Sequence, residues 1–148
     1  MTGWRVGYAA GSTEIIKAMA NLAGQMTSGT ASISQKAALG ALTAGNEVAK
    51  MIAEFKNRRE LVCEGFKNIP GLKIIRPEGA FYLFADVAGA LNGATSAQWC
   101  AQLLAQTGVA VVPGEAFLAP GYFRLSFAAA TTKLTEAIEK IKKYVAGK

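Results

Sequence analysis

Four residues, Asn68-Ile69-Pro70-Gly71, divide this chain into two patterns. Before them, apolar residues recur at three- and four-residue spacing, as on one face of a helix. After them come short runs of strand-forming residues. Pro has no N–H to continue a helix, and Gly readily reverses the chain, so no regular element is expected to cross this point. Upstream, Asn46 caps a long helix from Glu47 to about Asn68, striped by Val48, Met51, Ile52, Phe55, Val62 and Phe66. Downstream, "LKIIRPEGAFYLFADV" reads as two strands interrupted near Pro77-Glu78-Gly79. Ser96 opens a helix to about Thr107 with Trp99, Leu103 and Leu104 on its apolar side. "VAVVPGEAF" and "GYFRLSFA" read as two more short strands. Thr132 caps a last helix that buries Leu134, Ala137, Ile138, Ile141 and Tyr144. A helix, two strands, a helix, two strands and a helix make a compact α+β unit over 46–148.

Residues 1 to 45 do not fit into that unit. Arg5 to Ala10 reads as a short buried strand closed by Gly11. Ser12 then caps a helix carrying Ile15, Ile16, Met19, Leu22 and Ala23. "GQMTSGTAS" (Gly24 to Ser32) reads mostly as loop, and Ser34 caps a helix of small residues running to about Ala44. One strand and two helices lack the neighbouring strands that a sheet needs, so this segment reads as the end of a larger domain whose beginning is absent.

Composition narrows the function. The chain has no His and only scattered acids, so a metal site is not expected, and the commonest general base is missing. Cys63 and Cys100 are isolated, without C-x-x-C spacing, and are expected to be reduced thiols. No apolar run approaches the ~20 residues of a membrane span, and no basic-plus-apolar leader opens the chain. A cytoplasmic protein without a membrane partner is the expectation. The net charge is +6, concentrated in Lys56-Asn57-Arg58-Arg59 and Lys140-Ile141-Lys142-Lys143. Aromatic residues are not interleaved with these charges, so they read as solvated helix faces and nucleic acid is not an expected partner.

Two arginines carry the chemistry. Arg5 follows a Thr-Gly turn and Trp4. Its guanidinium could grip a phosphate through two parallel charge-assisted bonds, or simply extend into solvent from a strand end. Arg124 lies inside "YFRLSF", between aromatic and aliphatic neighbours. A buried isolated ion costs several kcal/mol, so this residue must meet either a carboxylate of the protein or the anionic group of a ligand. Glu115, after a Pro-Gly turn, reads as a solvated turn residue. Tyr82 reads as a core ring with its hydroxyl satisfied. Neither is assigned a role.

"MTGWRVGY", "TSGTASISQKAAL", "PEGAFYLF", "GVAVVPGEAF" and "GYFRLSFA" occur in one order and at familiar separations. Together they resemble the C-terminal part of class I, aspartate-aminotransferase-type enzymes of the bacterial subgroup, over nearly the whole chain. The resemblance implies an α/β chain, a partial fold type I of the pyridoxal-phosphate-dependent transferases. Residues 1–45 would end the large cofactor-binding domain, and 46–148 would form the small C-terminal domain. It further implies that Arg5 binds the cofactor phosphate and that Arg124 clamps the substrate α-carboxylate. The Schiff-base lysine of the family would fall four residues before Met1, outside this chain, so no catalytic lysine is assigned and the chain alone is not expected to transaminate. Implied partners are an amino acid, a 2-oxo acid and a second subunit in a homodimer. Aspartate, an aromatic amino acid or prephenate are all compatible donors. The Gly24 to Ser34 loop matches a segment near the subunit interface, although Gly29-Thr30 replaces a frequent Asn-Pro. The alternative from another class is a stand-alone binding or regulatory module derived from the small domain.

Overall fold

The computed structural model describes residues 1–147. It falls into two compact units, Met1–Ala49 and Lys50–Lys148.

In the first unit the backbone is helical or irregular. A single 3-10 turn, Thr2–Trp4, ends at Arg5, whose φ of 53° and ψ of 44° are left-handed. Val6 to Ala10 form no regular element, and all but Val6 are exposed. The expected strand at Arg5 to Ala10 is therefore absent. A strand needs a neighbour for its N–H and C=O groups, and the described residues of this unit supply only helices. Helix α1 spans Thr13–Thr27, so the expected loop at Gly24 to Ser32 shrinks to a few residues after Ser28, which caps α1 in a left-handed conformation. Ser12 occupies the N-cap position but its hydroxyl makes no capping bond. Helix α2 runs from Ser32 to Ala41, with Ala31 at its N-cap. Ser34 is thus inside the helix rather than its cap. Its buried hydroxyl donates instead to the Trp4 carbonyl at 2.9 Å, tying the 3-10 turn to α2.

The second unit is two layers. Helix α3 (Glu47–Phe66) stops just before the Pro-Gly break. Strands β1 (Lys73–Ile74) and β2 (Tyr82–Asp86) follow, then helix α4 (Ser96–Thr107), strands β3 (Val112–Pro113) and β4 (Tyr122–Ser126), and helix α5 (Thr131–Ala146). The sheet order is β1-β2-β4-β3 and every pair is antiparallel. Successive strand residues face opposite sides. Leu83, Ala85, Phe123 and Leu125 are therefore buried on one face, joined by Val62 and Phe66 of α3, Trp99 and Leu103 of α4, and Ile138 and Ile141 of α5. Trp99 stacks on Phe123 with centroids 5.3 Å apart, and Phe66 meets the same ring at 6.1 Å. Gly65 lets α3 approach α5 closely: a Cβ there would meet Ile138 Cδ1 at 2.8 Å.

Three expectations about these helices need correction. Leu104 is 49% exposed rather than on the apolar side of α4. Val48, Met51 and Ile52 of α3 are also about half exposed, so only the C-terminal half of that stripe enters the core. Helix α4 is opened by a capping box. Thr95 Oγ1 accepts from the Gln98 N–H, and Gln98 Oε1 accepts from the Thr95 N–H at 2.9 Å. At α5 the N-cap position falls to Ala130, not Thr132. The two basic stretches are laced with acids: Arg58 pairs with Glu54, Arg59 with Glu60, Lys140 with Glu136 and Lys142 with Glu139.

The contrast within α4 is testable. Trp99 is fully enclosed and stacked, so Trp99→Ala should lower the unfolding free energy by about 3–5 kcal/mol. Leu104→Ala, at a half-exposed position of the same helix, should cost about 0.5 kcal/mol or less. Urea unfolding midpoints of the two variants measure both.

Candidate functional site

Alternation on β2 and β4 puts Tyr82, Phe84, Asp86, Tyr122, Arg124 and Ser126 on the sheet face away from the helices. Arg124 is directly opposite Phe84 on β2 and Val112 on β3, so its backbone is paired on both sides. Its neighbours in sequence, Phe123 and Leu125, are buried in the core while Arg124 itself is half-buried. Among the described residues its side chain makes no ion pair and no hydrogen bond. Its guanidinium carbon instead lies over the Tyr82 ring, 4.2 Å from the centroid, and 4.6 Å from the centroid of Phe117. Phe117 is held in turn by an edge contact to Phe84 at 6.0 Å, and Phe84 stacks on Tyr122 at 5.1 Å with the planes 8° apart. The result is a cation in an aromatic cluster, with its planar fork of N–H donors untaken. Such a fork fits a carboxylate through two parallel bonds.

Tyr82 was expected in the core and is on the Arg124 face instead, because the β2–β4 register pairs it with Ser126. Phe117 carried no signal as a site residue. It belongs to a short 3-10 turn, Gly114–Phe117, between β3 and β4.

That turn is anchored by Glu115. Rather than facing solvent as a turn residue, Glu115 is half-buried, and its Oε1 accepts from the Ser96 hydroxyl at 2.8 Å and the Ala97 N–H at 3.2 Å. Ser96 Oγ accepts in turn from the Gly121 N–H at 2.8 Å. One carboxylate therefore joins the β3–β4 connection to the N-terminus of α4, where the free N–H groups favour negative charge. Oε2 is buried with no hydrogen-bond partner among the described residues. The hydrogen bond from Ser96 holds the Glu115 carboxyl below its ordinary value near 4.5, with the neighbouring backbone N–H groups adding to the effect against burial. Gly114, which opens the turn, has no alternative: a Cβ there would lie 2.0 Å from the Ala119 carbonyl oxygen. Burial pushes the Cys100 thiol up to about 11, with the Glu115 charge adding to it, and burial likewise raises Cys63. Both cysteines are buried and unbridged, so neither offers a reactive thiolate.

Arg5 belongs to the first unit. It is exposed, and its Nη1 donates to the Thr2 carbonyl at 3.2 Å, an intraturn bond that leaves the remaining donors open. The left-handed backbone there is uncommon for a residue with a Cβ. No group of three or more His, Cys, Asp or Glu side chains among the described residues could hold a metal ion, and no helix is long and apolar enough to cross a membrane.

The Glu115 tie makes a pH prediction. A carboxyl held below its unfolded value contributes stability above that value and loses it as pH falls through the folded one. Wild-type stability should therefore decline below about pH 4.5, and Glu115→Gln should flatten the part of that decline due to this group. Urea midpoints for both proteins between about pH 3 and 7 measure it. A parallel slope in the two proteins would show that the Glu115 bonds do not contribute.

A family model described as aminotransferase class I and II matches residues 1–141. The aspartate aminotransferase of Rhizobium meliloti (strain 1021) is 45% identical over 150 residues, covering 95% of this chain and 37% of that protein. The crystal structure of aspartate aminotransferase from Thermotoga maritima superposes with a TM-score of 0.85 at 42% identity, covering 99% of this chain and 37% of that one. The aromatic aminotransferase of Pyrococcus horikoshii OT3 superposes with a TM-score of 0.86 at 35% identity, covering 99% and 40%. The chain thus spans well under half the length of these relatives, and its α/β architecture is a part of theirs. Members of the family work with pyridoxal phosphate. This chain belongs to the class I and II aminotransferases.

Proposed function

We propose that this chain is the C-terminal part of an aspartate-aminotransferase-type enzyme, with Arg124 as the clamp for the substrate α-carboxylate and Arg5 as one ligand of the cofactor phosphate. The reaction would move an amino group between an amino acid, aspartate or a similar donor, and a 2-oxo acid. Residues up to about 45 would close the large cofactor-binding domain and 46–148 would form the small domain. The working enzyme would be a cytoplasmic homodimer.

The observation that carries the reading is the state of Arg124. A half-buried cation that meets no carboxylate of its own protein among the described residues, and that has its donors open, is poised for an external anion. An ion pair would have given the opposite picture. Arg5 supports its role through the chemistry of its donors: an exposed guanidinium with one bond spent on Thr2 can still give two parallel bonds to a phosphate. Its left-handed backbone is a strained conformation of the kind that functional sites retain. The family's cofactor supplies an electron sink at the amino-acid Cα when bound. What these residues do is bind and orient. Arg124 fixes the carboxylate end of the substrate, and the rings that lie over its guanidinium lower the local dielectric and strengthen the contact. The large apolar side chains exposed in the first unit, among them Ile15, Met19, Leu22 and Leu42, favour a piece of a larger enzyme over a self-contained binding module.

Two substitutions in the complete enzyme separate the roles. Lys has no planar fork, so Arg124→Lys should cost about 2–4 kcal/mol in amino-acid binding and turnover while sparing cofactor affinity. Arg5→Lys should show the reverse, losing cofactor first. Dissociation constants for aspartate and for pyridoxal phosphate in both variants test this, and cofactor loss from Arg124→Lys with normal substrate affinity would overturn the assignment. A third measurement concerns this chain alone. Mixed with pyridoxal phosphate, it should form no stoichiometric, borohydride-trappable adduct at a single lysine.

A further inference from the structure

The aromatic rings around Arg124 do more than line a face. A ring face attracts a guanidinium through its quadrupole, yet takes none of the N–H donors that lie in the guanidinium plane. The centroids of the Tyr82 and Phe117 rings lie 4.2 and 4.6 Å from the Arg124 guanidinium carbon. Each is fixed independently. Tyr82 is held by the β2–β4 ladder opposite Ser126 and by the Phe81 ring at 4.5 Å. Phe117 is held by Phe84 and by a turn that Glu115 fastens to Ser96. A long flexible side chain would otherwise sample many rotamers, and ordering it on binding would weaken affinity.

We infer that Tyr82 and Phe117 are positioning residues for Arg124, holding its guanidinium in place while leaving its donors free for a ligand carboxylate. This rests on the carboxylate-clamp reading of Arg124. The rings substitute for the acidic partner that a half-buried arginine ordinarily requires: a carboxylate in that position would hold the guanidinium equally well but would occupy its donors and repel an incoming anion. Tyr82 acts through its ring face, so its hydroxyl is dispensable.

The test uses this chain with succinate as a carboxylate probe, followed by NMR. The Arg124 side-chain Nε–H resonance reports ring currents directly, and the Trp99 indole resonance reports that the core remains folded. In Tyr82→Leu and in Phe117→Leu the Nε–H resonance should move towards that of exposed arginines. The succinate dissociation constant should rise about tenfold in each. Tyr82→Phe should keep both the resonance and the affinity. Leucine variants that leave the Nε–H resonance in place and succinate affinity within about twofold, while Arg124→Lys weakens binding, would overturn the positioning role and leave the clamp standing. Failure of succinate to bind the wild-type chain, or indifference of its affinity to Arg124→Lys, would overturn the clamp instead. The Nε–H resonance would then still decide whether the rings hold the guanidinium.

Discussion

The register between β2 and β4 is the constraint on which the rest depends. Five residues of each strand pair, from Tyr82 with Ser126 to Asp86 with Tyr122. A slip of one residue would turn every side chain of a strand to the other face. It would put Tyr82 and Phe84 into the core and bring Leu83 and Ala85 out into solvent. Burial of Leu83, Ala85, Phe123 and Leu125 against three helices therefore selects one register, at roughly 25 cal/mol for each Å² of apolar surface removed from water. The same choice gathers Tyr82, Phe84, Tyr122 and Arg124 on the opposite face. The aromatic cluster around the arginine is a consequence of core packing on the other side of the sheet.

A second layer of control comes from the connection between β3 and β4. Here a short turn must bring Phe117 up to Arg124 and return the chain into a central strand. Gly114 permits the close approach to the Ala119 carbonyl, and Ala119 N–H bonds back to the Gly114 carbonyl at 3.0 Å. Glu115 then bridges to the start of α4, and Ser96 passes the connection on to Gly121. A carboxylate at a helix N-terminus and a hydroxyl acting as both donor and acceptor are economical ways to hold a loop with little core of its own.

The first unit obeys a different logic. Its helices α1 and α2 keep apolar faces that the described structure leaves exposed, and its one buried polar group, Ser34, serves to tether the 3-10 turn before Arg5. Under the proposed function, those faces would be covered by further parts of the enzyme; the chain spans well under half the length of the relatives it matches. The left-handed Arg5 sits immediately after that tethered turn. Its backbone geometry follows from the turn.

By itself, the sequence determined the elements whose signals are local. Helical spacing from Glu47 onward, the break at Pro70-Gly71, the alternation in "FYLFAD" and "YFRLSF", and the apolar stripe of α5 are all readable because each depends on residues a few positions apart. Arg124 was legible as a candidate for the same reason, since a charge within an apolar strand is a local contradiction. What only the tertiary structure decided is everything set by pairing across long separations. It placed Tyr82 and Phe117 beside Arg124, made Glu115 a helix-anchoring carboxylate rather than a solvated one, and exposed Leu104. It also left Val6 to Ala10 without strand partners. A strand exists only where a second strand satisfies its backbone, and a side chain's neighbours across a sheet depend on register. Neither can be computed from the residues of one segment alone.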